Sequence, residues 1–209
     1  MTTKETAIDA VIFDFDGTLV DTMPVHFEAY RRTFAEMNLE LTRDAFYESI
    51  GGNARETIPK LLAGRMAPLD LAAIHKRKKQ IVSELLISEP IPILPAAQLL
   101  MAFAGRLPIA LASSGSRPGI ELVLKRFGWR DYFSAIVTGE DVPNGKPAPD
   151  LFLRAAEKLG VPAKACLVFE DTTPGVEAAA AAGMRVFDVR GASAPEVTTA
   201  PAAAEKADR

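Results

Sequence analysis

The run Ala10-Val11-Ile12-Phe13-Asp14-Phe15-Asp16-Gly17-Thr18 constrains the fold more than any other stretch of this chain. Its first four residues are apolar and β-prone, the pattern of a strand buried on both faces, and Gly17 supplies the turn after it. Asp14 and Asp16, two apart, share one side if the extended backbone continues past Phe13. Two carboxylates in one crevice repel each other unless a cation neutralises them or one keeps a proton. The pair therefore points to a hard-metal site, to a nucleophile with an acid/base partner, or to both.

The pattern of the chain beyond this strand tells which sheet holds it. Between Asp21 and about Glu89 apolar residues recur at helical spacings, with candidate helices at 24–37, 43–49, 53–63 and 69–87 and no convincing buried strand. Pro24 suits a first helical turn, and Thr42 and Asn53 have the side chains of N-caps. From about Ile91 apolar runs alternate with amphipathic stretches, the signature of βαβ units. Strands are expected at 109–112, 135–138, 166–170 and 185–189, with helices at 96–104, 118–127, 150–159 and 175–182. With the strand at 10–14 this is an α/β fold, a doubly wound parallel sheet interrupted after its first strand by a helical insertion. The expected division is a core of residues 1–21 and 90–209 and an inserted helical domain of residues 22–89. The segment Leu19–Met23 serves as the outgoing linker and the proline-rich segment Glu89–Pro95 as the return. The tail 192–209, rich in Ala, Pro and Thr, is expected to be mobile.

Composition removes several classes of function. At 209 residues the chain can bury one core, or one core plus a small lobe. Hydrophobic residues at 48%, charged residues at 24% and a mean hydropathy of +0.10 describe an ordinary soluble globular protein, neither disordered nor membrane-spanning. Lys and Arg total 24 against 27 for Asp and Glu, a net charge of -3 that gives no pull toward nucleic acid. One cysteine, Cys166, excludes an intrachain disulfide, and two histidines give no zinc-ligand cluster. Residues 1–9 lack the apolar run of a secretory signal, so a cytoplasmic monomer with no membrane partner is expected.

In a doubly wound sheet, ligands sit beyond the carboxyl ends of the strands. Reading those ends in order gives Asp14-Phe15-Asp16, then Ser113-Ser114-Gly115, then Gly145-Lys146-Pro147, then Glu170-Asp171. Carboxylates, hydroxyls beside a glycine, and one lysine are the parts that phosphoryl transfer needs. Carboxylate oxygens can hold magnesium, while lysine, hydroxyl and backbone amides can bind phosphoryl oxygens. A carboxylate nucleophile can divide one difficult hydrolysis into two steps, with a neighbouring acid/base moving the proton. Asp171 alone could be a helix cap, but Glu170 would then be an unexplained buried charge. Cys166 and Trp129 read as core packing.

These motifs resemble the haloacid dehalogenase superfamily of phosphatases and phosphomutases, in the branch with a helical cap inserted after the first strand. The resemblance extends to about Arg190 and rests on Asp14-Phe15-Asp16-Gly17-Thr18, Ser113, Lys146 in Gly-Lys-Pro-Ala-Pro-Asp, and Glu170-Asp171. It implies a Rossmann-like core, Asp14 as nucleophile and Asp16 as general acid/base. It further implies magnesium held by the Asp14 carboxylate, the Asp16 backbone carbonyl and Asp171, with Glu170 close by or linked through water. Ser113, with Ser114 as its rival, and Lys146 are implied to grip the phosphoryl group. An aspartate at position 16 favours the phosphoryl-transfer members over the dehalogenases, which lack it.

The cap should select the substrate. His26, after the Asp21-Thr22 hinge, could face the site; otherwise it is a solvated helix histidine. Arg55, after Gly51-Gly52, could bind a distal anion; otherwise it is a first-turn surface arginine. In the run His75-Lys76-Arg77-Lys78-Lys79, helical spacing lets one or two residues reach the cleft, with Lys78 the candidate. The expected activity is magnesium-dependent hydrolysis of a small phosphorylated sugar or sugar acid, a hexose phosphate such as fructose 1-phosphate. The alternatives are a β-phosphoglucomutase-like phosphohexomutase and, remotely, a non-catalytic phosphate-binding protein.

Overall fold

In a computed structural model the described residues are 7–49, 54–62, with side chains from 57, and 70–191. Five strands form one parallel sheet: β1 (Ala10–Phe13), β2 (Ile109–Ser113), β3 (Ala135–Thr138), β4 (Cys166–Glu170) and β5 (Arg185–Asp188). Their order is β3-β2-β1-β4-β5, so the chain builds outward on one side of β1 and then returns to its other side. The topological switch therefore lies between β1 and β4, where Phe13 pairs with Phe169 at the carboxyl ends.

Alternation along β1 divides the interior. Val11 and Phe13 point into one cluster with Leu111 and Phe169, and Phe13 stacks on Phe169 at 4.7 Å between ring centroids. Ala10 and Ile12 point into the other, beneath α7 (Asp150–Leu159) and α8 (Thr173–Ala181). That second face is lined by Ala10, Ala110, Ala112 and Ala135, small residues that leave room for the fully buried Phe152 of α7. The first face is covered by α5 (Ala96–Phe103) and α6 (Arg117–Phe127).

Among the described residues four helices lie between β1 and α5: α1 (Met23–Ala35), α2 (Arg43–Ser49), α3 (Ala54–Leu62) and α4 (Leu71–Ser88). Thr42 caps α2 as expected, its hydroxyl accepting from the Ala45 amide at 3.3 Å. Asp70 caps α4 by accepting from the Ala72 and Ala73 amides, both at 3.0 Å. Asn53, the other expected cap, and the tail 192–209 lie outside the described residues. Tyr30, Phe34, Phe46, Ile58 and Ile74 make a separate apolar cluster in this lobe. The halves of α1 and α4 nearer the sheet differ. Val25, Ala29, Val82, Leu85 and Leu86 join the cluster of the first sheet face.

The two linkers are hydrogen-bonded to each other. Asp21 N donates to Pro92 O at 2.9 Å, Leu94 N donates to Leu19 O at 2.9 Å, and Val20 forms an antiparallel bridge with Ile93. Among the described residues no helix is long and apolar enough to cross a membrane.

Candidate active site

The ends of β1 and β4 bring together residues far apart in sequence. Lys146 Nζ lies 2.5 Å from Asp14 Oδ1 and 2.6 Å from Glu170 Oε2, and all three side chains are buried. One positive charge among the clustered carboxylates is thus supplied by the chain itself. Glu170 is fully buried and also accepts from the Thr172 amide at 3.0 Å, the Thr172 hydroxyl at 2.7 Å and the Asp171 amide at 3.2 Å. The capping role considered for Asp171 belongs to Thr172, whose hydroxyl accepts from the Gly175 amide at 3.1 Å. Asp171 is held from the turn after β1 instead, where the Thr18 hydroxyl donates to its Oδ1 at 2.8 Å.

Two glycines make this packing possible. Gly17 has φ +91°, and a Cβ there would lie 2.2 Å from Asp171 Oδ2. A Cβ on Gly175 would lie 2.0 Å from Glu170 Cδ.

One oxygen each from Asp14, Glu170 and Asp171 falls within 4.8 Å of the others. Burial, then the charge of Glu170, hold the Asp14 carboxyl well above its usual range, against the opposing pull of Lys146. Burial likewise pushes Asp171 up to about 6, with Glu170 adding to it and the Thr18 hydroxyl opposing. Burial alone would lower Lys146, but Asp14 and Glu170 outweigh it and raise the ammonium above its ordinary value. Clustered hard-oxygen donors, with the ionised forms of Asp14 and Asp171 disfavoured, are chemically suited to a divalent cation.

Asp16 has a different set of neighbours. The backbone leaves the sheet after Phe13, and the Asp16 carboxylate accepts from the Thr22 hydroxyl and from the Ser113 hydroxyl, the latter at 3.4 Å. His26 Nε2 stands 3.7 Å from Asp16 Oδ1, and His26 Nδ1 is 3.0 Å from Lys78 Nζ. With Nδ1 accepting from the ammonium, the hydrogen-bond network assigns the ring proton to Nε2, facing Asp16. Burial would lift Asp16, but the His26 ring, the Thr22 hydroxyl and the charge of Lys78 outweigh it and hold the carboxyl below its usual range. Burial and the Lys78 charge keep His26 below the ordinary histidine value. Burial draws Lys78 down to about 8, and its ammonium lies 4.7 Å from the Tyr30 ring centroid.

Ser113 is the last residue of β2, buried, and accepts from the Gly115 amide at 3.0 Å; Ser114 beside it is half-buried. Of the basic run on α4, Lys78 reaches the site, Arg77 pairs with Glu36 at 2.7 Å and Lys79 pairs with Glu140 after β3 at 2.9 Å. Arg55 is on α3, and its side chain lies outside the described residues. Cys166 is buried in β4, away from this chemistry. Sequence reasoning did not assign roles to the hydroxyls of Thr18, Thr22 and Thr172. The signal for the first two was their place directly after Gly17 and Asp21.

A model of haloacid dehalogenase-like hydrolases matches residues 8–183. This chain belongs to that family. Among haloacid dehalogenase-like relatives, fructose-1-phosphate phosphatase YqaB of Escherichia coli is 35% identical over 180 residues, covering 86% of this chain and 95% of the relative. A phosphorylated carbohydrates phosphatase of Thermotoga maritima is 36% identical over 189 residues, covering 87% and 85%. The crystal structure of CbbY from Rhodobacter sphaeroides in complex with phosphate superimposes with a TM-score of 0.78 at 32% identity, covering 86% of this chain and 84% of that one.

Proposed function

We propose that this chain is a magnesium-dependent phosphatase that hydrolyses a small phosphorylated sugar or sugar acid through an aspartyl-phosphate, with residues 22–89 serving as a cap over the core. The broader class, a phosphoric monoester hydrolase, follows from the family and its named phosphatases. The observation that carries the reading is the separation of the two motif aspartates. Asp14 is held among Lys146 and the carboxylates of β4, while Asp16 is reached by hydroxyl and imidazole groups from α1 and its approach.

In this reading an Asp14 carboxylate oxygen attacks phosphorus, and the bond to the sugar oxygen breaks. Asp16 gives its proton to the departing alkoxide. Water then attacks the phosphoryl group, Asp16 takes a proton from it, and the Asp14 carboxylate is restored with release of phosphate. Ser113, Ser114 and Lys146 hold phosphoryl oxygens throughout. Asp14, Asp171 and the Asp16 carbonyl would hold magnesium, with Glu170 alongside, and the ion supplies charge neutralisation for the phosphoryl oxygens. His26 and Lys78 support Asp16 and present donors to the sugar, and Arg55 is proposed as a contact from α3.

The test is phosphate release from a panel of sugar phosphates with magnesium and with chelator. Release that requires magnesium and disappears in Asp14→Asn is expected. Undiminished turnover in Asp14→Asn refutes the nucleophile, and activity surviving chelation refutes the metal. Conversion of β-glucose 1-phosphate plus bisphosphate primer to glucose 6-phosphate, without comparable free phosphate, makes the chain a mutase instead.

A further inference from the structure

Beside Asp16, on the side turned away from β4, a small cavity lies between α1, α4 and α6. Its polar lining consists of Asp16, Thr22, His26 and Ser116; the remainder is Phe15, Val82, Leu86, Ile120 and neighbouring apolar or glycine surface. Its volume is about 20 Å³, and a single water needs roughly 10–15 Å³ with two to four polar partners. Two of these groups, the Thr22 hydroxyl and the His26 ring, already converge on or stand against a third, the Asp16 carboxylate. The fourth is uncommitted: Ser116 occupies the N-cap position of α6, yet its side chain makes no capping hydrogen bond. The cavity also opens toward Gly115, whose absent Cβ would stand 3.0 Å from Asp16 Oδ2 and 3.1 Å from Ser113 Oγ. It is therefore contiguous with the proposed acid/base, and Gly115 alone stands between it and the proposed phosphoryl-binding hydroxyl of Ser113.

We propose that this cavity holds the water consumed in the second half-reaction, seated between the Ser116 hydroxyl and Asp16 while the inserted helices cover the site. The inference rests on the phosphatase reading. The water oxygen bonds to phosphorus, the bond from phosphorus to Asp14 breaks with its electrons returning to the carboxylate, and Asp16 takes the water proton. The volume fits one such water, and Val82, Leu86 and Ile120 offer it no polar partner on their side. Breakdown of the phosphoenzyme then draws on a stored molecule and not on bulk solvent entering an open cleft.

Two substitutions test this without touching the reacting groups. Gly119→Ala adds a methyl 3.3 Å from Ser116 Oγ and 3.4 Å from Leu86 Cδ1, filling the cavity at a helical position where alanine is favoured. Ser116→Ala removes the uncommitted hydroxyl and costs α6 no side-chain cap. In single-turnover experiments with labelled substrate and acid quench, formation and decay of the aspartyl-phosphate are followed separately, with thermal melting as a check on folding. Gly119→Ala is expected to slow decay by about tenfold and Ser116→Ala by a smaller factor, with formation changed less than about twofold in both. Decay at the wild-type rate in both variants overturns the inference, as does equal slowing of the two steps. A wild-type protein that forms no phosphoenzyme overturns the phosphatase reading first, and this inference with it.

Discussion

Asp14 and Asp16 are two residues apart and occupy opposite kinds of environment. Asp14 is buried in a setting built wholly from the sheet ends and the Lys146 loop, and its ionised form is disfavoured. Asp16 is half-buried, and its carboxyl is held low by groups that arrive with α1 and α4. The first half of the site exists whenever the sheet is folded. The second is complete only when the inserted helices sit as they do here. A nucleophile and an acid/base that differ in this way respond to different perturbations, and that difference can be measured.

The sharpest break comes from Asp14→Asn, expected to lower phosphate release by at least about 10⁴-fold with the fold intact by melting and circular dichroism. Gly175→Ala should come next, because its Cβ would drive Glu170 off Lys146. The expected cost is roughly 1–3 kcal/mol in urea titration, with a large loss of activity that raised magnesium does not restore. Thr22→Val acts only on the Asp16 side. Losing that hydroxyl raises the Asp16 pKa, so the limb of kcat/KM set by the protonated Asp16 that the first step needs moves to higher pH.

Lys78 titrates near 8, charged below and neutral above, so kcat/KM should fall as pH rises through that value. Lys78→Met should lack this basic limb while keeping its acid one, and an unchanged profile would detach Lys78 from the site. Magnesium should raise Tm more at pH 7 than at pH 5. Asp171 has a folded pKa of about 6 against 3.8 for the free group, so its contribution to metal-free stability is present below about 4 and lost as pH rises through 6. The cation offsets that loss where the carboxyl is ionised and competes with a proton where it is not. The smallest effect belongs to Lys79→Ala, whose exposed pair with Glu140 is worth about 0–1 kcal/mol and weakens with salt. A change in KM beyond about threefold would make that contact more than a surface ion pair.

The sheet was legible because its first four strands are apolar runs ended by chemistry, and runs such as Ile109–Ser113 carry both signals at once. Helix positions came from periodicity, with ends displaced by a few residues: α8 begins at Thr173, two residues before the expected start, because Thr172 caps it. The residue types of the site were legible for the same reason. Their pairings were not. Nothing in a linear reading says that Lys146 lies between Asp14 and Glu170, since that depends on how the loop before α7 folds across the sheet end. Nor does it show that Lys78, and not its basic neighbours, faces His26 through the α1 and α4 contact, although helical spacing limited the choice.

The seam between Asp21 and Pro92, and between Leu19 and Leu94, has a consequence for how such a chain can vary. Because departure and return are stitched to each other, β1 and α5 experience everything between them as they would a loop closed at its base. A segment of different length or content could be spliced there while the sheet keeps its register, provided that it covers the apolar surface now shared with Val82, Leu85 and Leu86. Substrate choice and reaction chemistry can thus be exchanged separately, at one address in the chain.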